Sequence, residues 1–473
     1  MVRDLPRNRM LQGSLWNAVD YIPDNGAPLR QRGGWANAAD VAAVSAAAST
    51  IQAGIGAPFF AGNQLLALDE DGRLWKYTTA GTVTLVGAAL TPLQNPVFHA
   101  DTVIIPSDNG TNQPKKYDGT TIATLAATAP AGKYACVFKD YTVLAASAAN
   151  PRRQWFSTEG SPSGVYDTTF SIIDYSRAIK GQAALRNAIL VFHDDVVSRV
   201  RGSSPPASSD TGDFVKDDPA FHVGLIDARS IVTYEDQAFW ASAKGVYRSD
   251  GVAFDDLTKR GGMMQYWQDL VATFTSSWTV GGGLFNDTYL LSVMNGSSFV
   301  DSFAIDVKDF HWTRLSNIDA LTFWNSVNAV DEVYWGRRGA GIVAKGSSMW
   351  TPALATKNDG NGTAVTGTVE LPFYEGPPGP KRIKSVFIGA DLTDWATDNP
   401  TMTLSYVTSP ESTSYTTASP TVAEGTGYTR TRIPIGGHYP GIGLKLTRTA
   451  AGDTKLYSVE AEIDQEEPGR RTA

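Results

Sequence analysis

The feature that most limits what this chain can fold into is a loose internal repeat. Between about residues 51 and 350, short apolar and aromatic strands recur in one order, separated by Gly, Asn, Asp or Pro. PFFAGNQLLALDEDGRLWKYTTAGTVTLV at 58–86 is the clearest unit, and NPVFHADTVIIPSDNGTNQPKKYDGTTIATL at 95–125 repeats it. Further units begin near residues 134, 183, 229, 277 and 321. Aligning their first strands at Phe59, Phe98, Cys136, Leu185, Ile231, Thr279 and Leu321 gives steps of 39, 38, 49, 46, 48 and 42 residues. A four-stranded propeller blade takes about 40–50 residues. The spacing therefore predicts an all-β chain with a roughly seven-bladed, degenerate β-propeller over 41–350.

Turn chemistry and composition agree with this reading. Asp71-Gly72, Asn109-Gly110, Asp118-Gly119, Asp250-Gly251 and Asn295-Gly296 supply the positive φ that tight loops need. A twisted sheet cannot cover both its faces, so blades must stack. Trp75, Tyr77, Trp155, Phe156, Tyr247, Phe254, Trp312 and Trp335 are the expected wedges between them. The charged share is 19%, below the roughly 25% of ordinary soluble domains, which suits turn-rich β structure held in an assembly. Helical periodicity is confined to Asp40–Thr50 and to Gly262–Thr273, where Met263, Met264, Tyr266, Trp267 and Leu270 share a face.

Outside the repeat the texture changes twice. Residues 1–40, with Arg3, Arg7, Arg9, Arg30 and Arg32 among Pro6, Pro23 and Pro28, show no alternation and read as an extended arm. Residues 351–367 are polar, Gly-rich and linker-like. Residues 368–473 alternate cleanly at Met402-Leu404-Tyr406, Ile442-Leu444-Leu446 and Leu456-Val459-Ala461-Ile463, which predicts a C-terminal β-sandwich. Arg and Pro interrupt the first sixteen residues where a signal peptide needs an apolar run, and the Ala-rich stretch 40–62 is broken by Ser, Thr, Gln, Gly and Pro. Neither export by such a signal nor a membrane anchor is expected.

No residue pattern in the sequence marks a site of chemistry. Asp69 and Asp71 in LDEDGRLW lack the further oxygens and the closing Glu of a calcium loop, so they read as a turn. His193 stands beside Asp194 and Asp195, but the five His are scattered one to a segment, so no metal site is expected. Asp174, Asp217, Asp218, Asp255 and Asp256 are acids with no pair singled out for glycoside hydrolysis, and YRSDGVAF at 247–254 only approximates an Asp-box. With one Cys there is no disulfide framework. No GxSxG elbow, P-loop or strand–GxGxxG–helix is present. The sequence predicts a non-enzyme without cofactor.

Two non-catalytic features remain. The first is the arm, where Arg3, Arg7, Arg9, Arg30 and Arg32 can clamp carboxylates or carbonyls on a neighbour, with Trp16, Tyr21 and Trp35 as anchors. The second is the polar, Pro-rich insertion 201–222, carrying Arg201, Asp210, Asp213, Lys216, Asp217 and Asp218, a candidate channel or tip loop. The formal charge of −8 argues against a dedicated DNA reader but not against a wall past which DNA slides.

The layout DYIP…GAPLRQRGGW, then Ala-rich residues and a degenerate propeller, then KRIKSVFIGADL…MTLSYVTSPEST, resembles the tail nozzle or hub proteins of short-tailed bacteriophages. The resemblance implies a virion structural subunit, assembled in the host cytoplasm, whose copies form a ring, a hexamer, continuing the DNA channel below the head-to-tail adaptor. Its implied partners are copies of itself, adaptor or portal-side tail proteins, distal tail proteins or fibres, and viral DNA in transient, non-specific contact. The alternative is a glycan-binding, lectin-like tail protein, with aromatics such as Trp324 or Tyr374 stacking on sugars.

Overall fold

The computed structural model describes residues 17–24, 27–31, 36–40, 50–57, 64–77, 82–206, 212–296, 298–326, 329–337, 342–345, 365, 367–374, 381–393, 401–412, 414–422, 428–448 and 453–465. Four strands open it: β1 (Asn17–Val19), β2 (Tyr21–Asp24), β3 (Ala27–Gln31) and β4 (Ala36–Asp40). Five four-stranded antiparallel sheets, each from consecutive strands, follow. Sheet I holds β5 (Ile51–Ala57), β6 (Gln64–Asp69), β7 (Arg73–Tyr77) and β8 (Val83–Ala88). Sheet II holds β9 (Val97–His99), β10 (Thr102–Ile105), β11 (Lys115–Tyr117) and β12 (Ile122–Thr124). Sheet III holds β13 (Tyr134–Phe138), β14 (Tyr141–Ala145), β15 (Arg153–Phe156) and β16 (Ile172–Asp174). Sheet IV holds β17 (Gly181–Ala184), β18 (Ile189–Phe192), β19 (Val197–Arg201) and β20 (Val215–Phe221). Sheet V holds β21 (Val232–Tyr234), β22 (Gln237–Ser242), β23 (Gly245–Ser249) and β24 (Phe254–Asp256).

The next sheets borrow strands from the N-terminus. Sheet VI runs β25 (Trp278–Phe285), β26 (Thr288–Asn295), β27 (Ser298–Asp306) and β28 (Trp312–Arg314), and β1 then pairs parallel to β28 through Val19 and Arg314. Sheet VII runs β29 (Ala320–Ser326), β30 (Ala329–Arg337) and β31 (Ile342–Lys345), and β4 completes it antiparallel to β31. First strands touch in succession, β9 to β13 to β17 to β21 to β25 to β29 to β5. A shared apolar cluster of Ala53, Ile55, Leu68, Val103 and Ile105 joins sheet I to sheet II. The chain is thus all-β and propeller-like.

The C-terminal unit contains β32 (Thr368–Glu370), β33 (Lys381–Thr393), β34 (Met402–Val407), β35 (Thr416–Thr417), β36 (Tyr428–Tyr439), β37 (Gly443–Arg448) and β38 (Asp453–Gln465). Sheet VI continues through β1 into β32, β37, β34 and β35, while β2 and β3 join β38, β33 and β36 in a second sheet. Both sheets contribute to one core, with Val369, Met402, Leu404, Leu444 and Leu446 from the first and Ile383, Val386, Ile388, Ile433 and Leu456 from the second. Of the alternating residues of the sequence, Met402, Leu404, Ile442, Leu444, Leu446 and Leu456 are buried here, Tyr406, Val459 and Ile463 pack half-buried against them, and Ala461 is exposed.

All five turn glycines have positive φ, from 58° at Gly296 to 93° at Gly119. The wedge aromatics are buried, except Phe254, which is 42% exposed on the outermost strand of sheet V. The second helix is α2 (Met264–Val271), following α1 (Leu257–Arg260); Met263 and Trp267 are buried and the Trp267 indole donates to the Ser242 carbonyl at 2.9 Å. The Asp40–Thr50 helix falls on 41–49, outside the described residues. The first repeat begins at β5, eight residues before the Phe59 alignment point. Its Gly- and Ala-rich strand IQAGIGA carries few bulky side chains to signal it, because a Cβ on Gly54 would strike the Trp324 ring. The expected arm of 1–40, where it is described, is four strands, β1 to β4, with Asp20 between the first two, all fastened within the chain.

Candidate functional site

The arm was the first candidate, and its described part is a fastening inside the molecule. Asp20, at φ 59°, donates its amide to the Arg314 carbonyl at 2.8 Å, while its carboxylate accepts from the Ser316 amide at 2.9 Å and the Ser316 hydroxyl at 2.5 Å. Tyr21 is 1% exposed in the C-terminal core, its ring so close to Gly367 that a Cβ there would overlap it. Burial pushes its phenol far up. Tyr21 is therefore core, a correction to its assignment as a partner anchor. An aromatic flanked by Asp and Ile reads alike in either role until its sheet is known. Arg30 lies on β3 opposite Ile22 and Lys455. Arg3, Arg7, Arg9, Trp16, Arg32 and Trp35 lie outside the described residues.

The insertion 201–222 is only partly a loop. Lys216, Asp217 and Asp218 belong to β20, the outermost strand of sheet IV, and Arg201 ends β19. Asp217 takes the Arg199 guanidinium at 2.9 and 2.7 Å, with Arg201 at 3.2 Å, and these arginines lower its pKa. Burial pushes Asp218 up, but hydrogen bonds from the Ser176 amide and the Ser198 hydroxyl outweigh it and leave the group lowered. Lys216 donates to the Asp174 carbonyl at 2.6 Å and covers the Tyr175 ring. Asp213 accepts from the Ser203 hydroxyl and from the Ser203 and Ser204 amides, which lower it to about 2. Asp210 lies outside the described residues.

What the loop does is lie on its neighbour. Phe214 packs among Phe138, Tyr141 and Phe156 of sheet III, with centroids at 5.8, 6.5 and 5.2 Å, and the Ser171 hydroxyl donates to the Pro206 carbonyl. Beside it Tyr141, Glu159, Val165, Asp167 and Ser204 line a cavity of about 390 Å³.

Sequence reasoning missed the molecule's axis. Gln94 and Asn95, in the connection from sheet I to sheet II, reach opposite sides of the ring of first strands. Gln94 Nε2 donates to the Gln182 carbonyl on β17 at 3.0 Å. Asn95 Nδ2 donates to the Phe323 carbonyl on β29 at 2.6 Å, and its Oδ1 accepts from Thr322 and from the Gly54 amide. This connection bridges first strands on two sides of the ring and leaves a cavity of about 290 Å³ beside Gln94. Gln182 in turn donates to the Tyr134 and Val143 carbonyls of sheet III and accepts from Gln154. The only sequence signal was a polar pair between Pro92 and Pro96.

The other acids and the histidine have local duties. Asp69 accepts from the Asp71 and Arg73 amides, from Arg73 Nε and from the Trp75 indole, which is the work of a turn. His193 Nδ1 donates to the Ala178 carbonyl at 2.9 Å and Nε2 lies 3.0 Å from Ser198 Oγ, while Asp194 and Asp195 pair with Lys180 and Arg177. Arg153 holds Asp174, Arg248 and Arg260 hold Asp255, and Asp256 caps α1 at the Lys259 amide. Of the two aromatics named for sugars, Trp324 is 4% exposed on β29 and so is core; Tyr374 is 48% exposed. Among the described residues no three His, Cys, Asp or Glu are grouped to hold a metal, and no helix is long and apolar enough to cross a membrane.

Neither a family model nor a curated protein matches the sequence. Among solved structures the chain is similar to the GH74 enzyme of Niastella koreensis, at 14% identity and TM-score 0.41 over 64% of this chain and 44% of that one. It is also similar to Kluyveromyces lactis Hsv2, at 10% identity and TM-score 0.31 over 54% and 82%. A third is the extracellular domain of a hybrid two component system from B. thetaiotaomicron, at 10% identity and TM-score 0.40 over 90% and 61%. The chain spans less than half the length of the GH74 enzyme, and likenesses of this size carry no argument about activity.

Proposed function

We propose that the chain is a seven-bladed β-propeller carrying a two-sheet β-sandwich, and that it serves as a virion tail nozzle or hub subunit. Six copies form a ring that continues the DNA channel below the head-to-tail adaptor and meets distal tail proteins or fibres at its other face. The observation that carries this reading is the N-terminal fastening, since one short segment pairs with sheet VI, sheet VII and both C-terminal sheets. Such a body transmits force between neighbours without hinging, which a tail part needs and a freely diffusing binder does not. Gln94 and Asn95 bridge first strands across the ring, which supports a passage for DNA between copies rather than through one. The charge of −8 opposes phosphate binding by counterion release, which favours sliding over capture.

Electron microscopy of the purified full chain tests this. Closed rings around an open passage, with each copy a disc plus a smaller lobe, are the expected image. Single particles at every concentration, with retention on a glycan array, would instead favour the glycan-binding reading, for which Tyr374 is exposed and Trp324 is not.

A further inference from the structure

The two ends of sheets II to VI carry different charge. In each sheet the turn from first to second strand and the turn from third to fourth lie at one end. Contacts between consecutive sheets bring these ends to one face: His99 meets Thr142, Phe214 packs on Phe138, Asp236 accepts from the Arg186 amide, and Tyr234 donates to Asp287. The first turns carry Asp101, Asp140, Glu235, Asp236 and Asp287. The third turns carry Asp118, Glu159, Asp167, Asp213, Asp250 and Asp309. Among the described residues of these turns the lysines and arginines are Lys139, Arg186 and Lys308, and only Asp287 is paired, with Lys308. At the opposite end the carboxylates are neutralised. There Asp194 meets Lys180, Asp195 meets Arg177 and Asp227 meets Arg229, with Lys133, Arg152 and Lys244 beside them.

Turn geometry accounts for the aspartates, since Asp118, Asp167 and Asp250 each accept amides of their own turn. It does not account for the missing cations. The same kind of hydrogen bond holds Asp118 and Asp250 below the usual carboxylate range and Asp213 at about 2, so the face keeps its charge. Such a face repels phosphates and draws a cationic partner. One place on it has the shape to seat a side chain. The cavity of about 390 Å³ beside sheet III is walled by Tyr141, Val165 and Pro205 and flanked by Glu159 and Asp167, and Val165 is 64% exposed. An arginine stem covers apolar wall of this kind while its guanidinium reaches carboxylates.

The chain itself holds that chemistry. Residues 1–16, outside the described residues, carry Arg3, Arg7 and Arg9 against Asp4, among Leu5, Met10, Leu11 and Trp16. Strand β1 runs parallel to β28 with Val19 opposite Arg314, so Asn17 lies at the end of sheet VI where the Asp309 turn enters β28, on the acidic face. A segment of this length spans at most about 50 Å when extended. Sheet VI is three sheets round from sheet III. Segment and groove thus stand at separate places on one copy, as head-to-tail assembly requires. We propose that the acidic face is the surface on which a second copy docks its residues 1–16, with an arginine in the groove beside Glu159 and Asp167. This rests on the ring-forming reading and names its contact.

Fluorescence anisotropy tests it, with a labelled peptide of residues 1–16 and the full chain carrying Arg3→Gln, Arg7→Gln and Arg9→Gln, whose own groove is left free. Saturable binding at about 50 mM salt, weaker at about 500 mM, is expected. Adding Glu159→Gln with Asp167→Asn should weaken it about tenfold, the loss of two exposed ion pairs. Val165→Lys, a cation at an exposed position on the groove wall, should weaken it further. Asp194→Asn with Asp195→Asn, on the opposite face, should leave it unchanged. No saturable binding, undiminished binding by the folded groove variants, or an equal loss from the opposite-face variant each overturns the proposal. Electron microscopy separates its failure from that of the ring. Rings formed unchanged by the Val165→Lys chain would overturn the docking and leave the ring standing, whereas single particles that still take the peptide at the groove would uphold the docking surface and contradict the ring.

Discussion

The two halves of the ring close in different ways. In sheets I, VI and VII the first strands press together because glycine lets them. A Cβ on Gly281 would lie 2.5 Å from the Leu321 carbonyl oxygen, and one on Gly283 would run into Phe323. Two of these sheets also take a strand from the N-terminal segment. Sheets II to V use only their own consecutive strands, and their first strands stand apart enough to leave the axial cavity. Closing a ring needs contacts between residues far apart in sequence, and here the borrowed strands and the first-strand glycines pressed on backbone or ring atoms sit in one half, whereas Gly181 in the other half meets only the tips of Ile231 and Leu225. The other half is a run of local hairpins.

Removing the borrowed strands should break this contrast most severely. A chain lacking residues 2–40 loses β4 from sheet VII, β1 from between β28 and β32, and Tyr21 from the C-terminal core. No cooperative melt is expected by circular dichroism, and a transition at the full chain's temperature would show the strands to be ornament.

Next come single residues in each half. Gly283→Val, which must displace Phe323, should cost about 3 kcal/mol or more in urea unfolding, whereas Ala184→Val beside the cavity should cost less than about 1 kcal/mol. Equal losses would mean that the first strands pack alike all round. Asn95→Ala leaves the Phe323 carbonyl and the Gly54 amide unmet and should cost about 1–3 kcal/mol. A neutral result there would remove the axial connection from the account.

The smallest effect concerns pH, and it belongs to sheets II to V. Burial lowers both His99, bonded to Thr142, and His193 below the ordinary 6.5. The unfolded chain then binds protons that the native chain does not, so stability is complete above about pH 6.5 and falls as pH drops below it. Thermal melts should move down by a few degrees on mild acidification, and less so in His99→Gln. A melt that rises with acid would reverse the assignment.

What was legible in the sequence follows the same division. The turn dipeptides, the wedges Trp75, Trp155, Tyr247 and Trp335, and the helix around Trp267 announce themselves within a few residues, because hairpins and helices are local. The borrowed strands do not. Val19 pairs with Arg314 almost three hundred positions away, and three to five residues are too few for alternation to show. Asn95 and Gln94 were missed for a related reason, since two amides in a connector mean nothing until the ring around them closes. Phe254 is the half-open case: from the outermost strand of sheet V it still reaches across to Phe221 of sheet IV, with Tyr247 beside it, but the rim leaves it 42% exposed.

Hydrogen exchange followed by mass spectrometry tests most directly whether the N-terminal segment welds propeller and C-terminal sheets into one body. Amides of β1 to β4 should exchange as slowly as those of β22 and β23, whose sheet borrows nothing. Exchange of 17–40 at the speed of an unpaired chain, with β22 and β23 still protected, would contradict the account.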